Sequence, residues 1–326
     1  MIQLLLILIA GLQAGGHEPD AGLFAKSLWF LHAFGDVECV RAGNDNHLKS
    51  VLAKAIAKDR ELSIDEIGGM ISQGAFSKFA GADDRLSESE ISAALESVCP
   101  ASRNKLYPEL VKHADLLTTS FDLIAHDHYV AIEQLSDWIS ENWMPNKTLH
   151  ILTTCTGNSR RSILGATMGN LAATYYGFDN LEFHSGGTAP SAFNKRTIAC
   201  LKDIGFQIVP TGKEAERGDP TVPNPQYIVR WGKDLEATEF SKNYKDSSNP
   251  HSGFAAILVC NEADAECPVV SGAAIRISMT FLDPKTYDDG LFEPKKYAER
   301  RDDIGRTFLA VMAQARSKIQ AKISTP

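Results

Sequence analysis

What the chain lacks narrows it first. Its conspicuous apolar run, from Ile2 to Leu12, falls short of the roughly 20 residues that cross a bilayer, so no stable membrane span is expected. Low-complexity tracts are missing as well. Basic charge is not in excess: 33 Lys and Arg against 41 Asp and Glu leave a formal charge of -8. That balance argues against a nucleic-acid partner, because phosphate backbones select basic faces. A small anion needs only a local positive site and stays open. Cysteine is sparse, with six in 326 residues (Cys39, Cys99, Cys155, Cys200, Cys260 and Cys267). Such a chain is not a disulfide scaffold, and each thiol is read separately.

Residues 1–16 have the length and small-residue ending of a secretory signal, with cleavage after Ala14 or Gly16, although no Lys or Arg precedes the apolar run. As a signal the segment implies export, periplasmic or secreted. As a buried first helix or a misassigned start it leaves the protein cytoplasmic. Residues 17–146 read as helical and of unknown role. Ser63 with Glu66 and Ser87 with Glu90 form capping boxes before apolar runs. Calcium loops are excluded there, since Ala55, Ala57, Phe79 and Gly81 fall where oxygen ligands would stand. Whether Cys39 and Cys99 pair is open. Leu110–Trp143 reads as one long amphipathic stretch. Its His126, Asp127 and His128 have the wrong spacing for one helical face, so a surface or packing role is expected and no metal site.

After Met144–Lys147 the pattern changes. "TLHILTT", "LEFHSGG", "FAAILVC" and "AAIRISM" are β-rich, and helical runs closed by Gly177 and Gly205 separate the first of them. Cys200 falls within the second run and reads as core. A long helix ends the chain. This alternation predicts an α/β domain over residues 147–326, three layers with a parallel sheet flanked by helices, after an all-α N-terminal region. Residues 210–250 are rich in Pro and Gly, with an extended piece or hairpin at "QYIVRW", and suggest a cover or a partner surface.

One stretch carries chemistry: "CTGNSRRS", Cys155 to Ser162, between a strand and a helix. In open α/β sheets ligands sit beyond the carboxyl ends of the strands. There the loop aims backbone N–H groups and a helix N-terminus at one point, which favours an anion and the thiolate form of a cysteine. Arg161 supplies a planar fork for two oxygens of a tetrahedral anion. Gly157 permits close backbone approach, Asn158 can tie the loop to its neighbours, and Ser162 can hydrogen-bond the sulfur.

The same residues resemble the phosphate-binding loop of the low-molecular-weight protein tyrosine phosphatases and of the thioredoxin-coupled arsenate reductases that share their fold. "FHSGGTAP" resembles a strand end of that family, with Gly186 in place of alanine, and "FLDP" resembles the loop bearing its acid. The likeness runs from about Leu149 to the closing helix. It implies the low-molecular-weight phosphatase fold, with Cys155 as nucleophile and Asp283 as general acid. It also implies oxyanion binding by Thr156, Gly157, Asn158, Ser159, Arg160, Arg161 and Ser162. "LVCNEADAECP" is similar to the redox pair of the reductases, which makes Cys260 and Cys267 a dithiol relay. The function implied is arsenate reduction with no bound cofactor and a thioredoxin-like reductant. The alternative is a phosphatase acting on phosphotyrosine or other aryl phosphates. Arg160 stands where many relatives have cysteine. Ala166 stands where some reductases place a glutamate that helps bind potassium, so that site is not carried over. Tyr287 is the only aromatic offered just after the acid. A thioredoxin-coupled enzyme suits a reducing compartment and an exported one does not; both placements stay open.

Overall fold

The computed structural model describes residues 105–260 and 270–324. The signal-like segment, the capping boxes at Ser63 and Ser87, Cys39, Cys99 and Cys267 lie outside them. Among the described residues, 105–117, 124–260 and 270–318 belong to one compact unit, and 118–123 and 319–324 to a second. Among the described residues no helix is long and apolar enough to cross a membrane.

Helix α1 (Pro108–Thr118) comes first, and α2 (Tyr129–Asn142) follows two short 3-10 turns at Phe121–Leu123 and His126–His128. The long amphipathic stretch expected from the sequence is therefore broken. The break falls at Thr118-Thr119-Ser120, hydroxyl residues whose side chains compete for backbone groups and disfavour a helix interior.

The centre is a parallel four-stranded sheet in the order β2-β1-β6-β7. Its strands are β1 (Leu149–Cys155), β2 (Leu181–Gly187), β6 (Phe254–Leu258) and β7 (Ala273–Ser278). Helices α3 (Arg161–Tyr175), α4 (Lys195–Asp203) and α5 (Glu293–Ser324) complete an α/β fold. Only His150 of β1 is not buried, and all of β6 is buried. That continuous burial belongs to inner strands of a parallel sheet and explains why neither strand alternates polar with apolar.

Helix α3 is buried on every side. It reaches the sheet through small residues: a Cβ at Gly169 would lie 2.3 Å from the Phe183 ring, and one at Gly165 would lie 2.9 Å from Thr153 Cγ2. This approach fixes the start of α3 directly above the end of β1. Phe308 of α5 meets the edge of Phe183 at 5.0 Å between ring centres, so α5 packs on the same face as α3. By strand alternation His150, Glu182 and His184 lie on the other face. Gly177 (φ 79°) and Gly205 (φ 111°) end α3 and α4 in the left-handed region, as the sequence indicates.

Residues 207–239 contain the hairpin expected at "QYIVRW" and extend beyond it. They form a second sheet, an antiparallel meander of β3 (Gln207–Glu214), β4 (Pro225–Gly232) and β5 (Leu235–Glu239). From Glu239 the chain returns to β2. Gly187 N–H donates to Lys242 O at 3.0 Å and Tyr244 N–H donates to Gly187 O at 3.0 Å. These bonds cover the end of an edge strand and, as shown next, brace the cysteine loop.

Candidate active site

Cys155 is the last residue of β1 and Arg161 the first of α3. The five residues between them make one tight turn. Its carbonyls are held from outside. Cys155 O accepts from Thr188 N–H (3.2 Å), Thr156 O from Ala189 N–H (2.8 Å), and Gly157 O from Ser191 N–H (3.1 Å). Gly157 O also accepts from Ser241 Oγ at 2.9 Å. Ser159 O accepts from Asn194 N–H (3.1 Å) and Arg160 O from Leu164 N–H (2.8 Å). A planar trans peptide that turns its carbonyl outward turns the following N–H inward. The amides of Thr156, Gly157, Asn158, Arg160 and Arg161 thus face the inside of the turn, the arrangement that holds an anion.

Asn158 is the keystone. It is fully buried with φ 39°, a conformation asparagine tolerates better than most residues. Its Oδ1 accepts from Lys242 N–H at 2.8 Å, and its Nδ2 donates to Ser162 Oγ at 2.8 Å. A backbone N–H can only donate, so Lys242 fixes which way the amide points. Ser162 Oγ lies 3.0 Å from Cys155 Sγ and can donate its hydrogen to the sulfur. The chain Lys242–Asn158–Ser162–Cys155 aims a donor at the sulfur.

Arg161 is buried, with Nη1 donating to Phe281 O at 3.1 Å and Nη2 to Asp283 Oδ2 at 2.8 Å. Arg161 and Asp283, 122 residues apart in sequence, meet beside the loop. Asp283 Oδ1 also accepts from Lys285 N–H at 2.9 Å and caps the 3-10 turn Pro284–Tyr287. The strand that leads there is steadied by buried His128, whose Nε2 lies 2.8 Å from Thr280 O and whose ring lies 4.5 Å from that of Phe281. His126 and Asp127 are exposed. Arg160 lends its peptide to the cradle, while its guanidinium is engaged by Tyr297 Oη (2.7 Å) and Asp288 Oδ2 (2.9 Å). Burial works against that charge, and Tyr297, Asp283 and Asp288 outweigh it, holding the guanidinium above its usual range.

Cys260 stands two residues past β6, fully buried, with Sγ 3.8 Å from Thr156 Oγ1. A second thiol therefore lies beside the loop headed by Cys155. Cys155, Cys200 and Cys260 are all thiols. Cys200 is a packing residue as expected: burial pushes its thiol up to about 12.

No family model matches the chain, and no curated protein sequence does. What the site can do follows from its own geometry.

Several residues that build the site carry no motif. Ser185 Oγ donates to buried Glu239 Oε2 at 2.8 Å, Lys242 Nζ lies 3.6 Å from the same oxygen, and Ser191 N–H donates to Ser241 Oγ at 2.8 Å. The segment after β5, the last part of the 210–250 stretch expected as a cover or a partner surface, braces the cysteine loop. It also accounts for Gly186, because a Cβ there would lie 2.6 Å from Tyr244 Cα, a backbone atom that cannot swing aside. Gly186→Ala will therefore lower stability by about 1–3 kcal/mol, read as a smaller urea midpoint at unchanged slope. A midpoint within error of wild type would show that the buttress yields freely.

Proposed function

We propose that the protein is an arsenate reductase of the low-molecular-weight phosphatase fold. The observation that carries this reading is the second thiol: Cys260 Sγ lies 3.8 Å from Thr156 Oγ1, on the loop headed by Cys155. Hydrolysis needs one cysteine, whereas reducing arsenic from the +5 to the +3 state needs two electrons from thiols.

The inward amides and Arg161 bind the arsenate oxygens. An arriving anion competes with Asp283 for the Arg161 fork and frees the carboxyl group toward the leaving oxygen. The Cys155 thiolate attacks arsenic, an S–As bond forms, and one arsenic oxygen departs as water with a proton supplied by Asp283. The Cys260 thiolate then attacks the Cys155 sulfur. The S–As electron pair stays on arsenic, arsenite leaves, and a Cys155–Cys260 disulfide remains. Cys267 attacks Cys260, returns the Cys155 thiolate and leaves a Cys260–Cys267 disulfide. A thioredoxin-like dithiol reduces that disulfide by exchange.

A second reading, aryl phosphate hydrolysis through phosphocysteine, has its own support in the apolar rim beside the acid. Leu282 is 77% exposed and Tyr287 41%, an arrangement suited to an aromatic leaving group. The full chain is to be assayed for arsenite formation with thioredoxin, thioredoxin reductase and NADPH, and for para-nitrophenyl phosphate hydrolysis. NADPH oxidation stoichiometric with arsenite supports the reductase. Aryl phosphate turnover without arsenite overturns it in favour of the phosphatase.

A further inference from the structure

On the sheet face opposite α3, three side chains from β1 and β2 converge. Strand pairing sets His150 beside Glu182 and Leu152 beside His184. Alternation by two puts His150, Glu182 and His184 on one face, across two neighbouring strands. One atom of each forms a triangle: His150 Nδ1 to His184 Nε2 is 3.0 Å, His150 Nδ1 to Glu182 Oε2 is 3.5 Å, and His184 Nε2 to Glu182 Oε2 is 3.7 Å. It is the single cluster of three or more such groups among the described residues with this closeness.

Hydrogen bonding explains one edge of that triangle and not the other two. A donor at 3.0 Å from an acceptor is a bond between the imidazoles, while 3.5 and 3.7 Å are too long for Glu182 to accept well from either ring. Two N–H groups cannot face each other at 3.0 Å, so at least one of the two nitrogens presents a lone pair. A tetrahedral ion with bonds of about 2.0–2.1 Å needs ligand atoms about 3.3–3.4 Å apart. The three observed edges bracket that value. An ion centred over the triangle meets all three atoms with small side-chain adjustments and keeps a fourth position for water. Two imidazoles and a carboxylate are the donor set of a borderline divalent ion, zinc above all, rather than of calcium or magnesium, which prefer oxygen. Glu182 is half exposed and His150 about one-third, which leaves an entry path. Lys242 is a nearby cation that acts on His184.

We infer that His150, Glu182 and His184 form a zinc site at the amino ends of β1 and β2. Cys155 is five residues beyond His150 on β1, and three beyond the register partner of His184, which is about 16 Å and about 10 Å along the strand at roughly 3.3 Å per residue. The site is thus separate from the cysteine loop, and its fate does not depend on the reductase reading.

Full-length protein stripped with chelator and dialysed is to be titrated with Co2+, then with Zn2+. One Co2+ per chain is expected, with the intense visible absorption of a tetrahedral ion and no sulfur-to-cobalt charge-transfer band, and Zn2+ should displace it. Glu182→Gln, at an exposed position that leaves the fold intact, should weaken binding at least tenfold. His150→Gln/His184→Gln should abolish it, and the rise in thermal midpoint that Zn2+ gives the wild type should vanish with it. A thiolate band, no binding by the wild type, or equal binding by the double variant overturns the site.

Discussion

Cys155→Ser protein will fold like the wild type and turn over neither arsenate nor aryl phosphate. The substitution exchanges sulfur for oxygen and leaves the braces of the loop untouched: the outward carbonyls, Asn158 on Lys242 N–H and on Ser162. The change is to the nucleophile. A serine hydroxyl stays protonated at neutral pH, and on the proposed mechanism no general base activates it. A loss of at least about 10⁴-fold in kcat is the scale on which enzymes respond to removal of the attacking atom. Arg161→Lys should act differently, removing one half of a two-pronged clamp while keeping the charge. Losses of roughly 10²–10³ in kcat/KM are typical for one lost donor to a developing oxyanion. Steady-state kinetics with circular dichroism on both variants separates the two cases. Cys155→Ser activity within tenfold of wild type would remove this cysteine from the chemistry.

Much of this site is written where local pattern meets topology. "HILTTC" favours a strand up to the cysteine through β-branched Ile151, Thr153 and Thr154, and "GNSRRS" then supplies a turn and a helix start, so Cys155 falls at a strand's carboxyl end. Gly177 and Gly205 stop their helices in the left-handed region. Asp283, after the fourth strand of the sheet, reaches Arg161 because parallel strands bring all their carboxyl ends to one edge. These features depend on residues near one another in sequence, or on the one rule that orders parallel strands.

The remainder depends on pairings that no spacing encodes. Nothing in "EFSKNY" announces that Ser241 and Lys242 will hold Gly157 and Asn158 from 84 residues away. Of the meander β3–β5 only "QYIVRW" reads as extended or hairpin, because Pro210, Gly212, Pro220 and Pro223 interrupt the rest, and β3 is largely exposed. His150, Glu182 and His184 are invisible as a cluster for a similar reason. His150 stands on one strand and the other two on its neighbour, so only the register joins them. His126, Asp127 and His128 are adjacent in sequence, yet adjacency sends their side chains apart: two are exposed, and His128 turns inward to Thr280 O.

The Cys260→Ser variant divides the two chemistries. Its side chain is fully buried beside Thr156 Oγ1, and serine is close in volume, so the oxyanion loop should keep its shape. If Cys260 is the second thiol of a relay, the variant binds arsenate and forms the Cys155 adduct but cannot attack the Cys155 sulfur. Thioredoxin-dependent arsenite formation then falls to background. Aryl phosphate hydrolysis, where it exists, asks nothing of Cys260: water attacks phosphorus, and Arg161, the loop amides and Asp283 all remain. It should stay within about threefold of wild type, given that burying a hydroxyl in place of a thiol costs on the order of 1–3 kcal/mol of stability rather than of transition-state binding. Mass spectrometry after one cycle with arsenate and no reductant adds a second readout: wild type should carry one internal disulfide, and Cys260→Ser none. Equal loss of both activities would mean that Cys260 serves the shape of the loop. Retained arsenite formation would pass the second electron-donating role to another thiol.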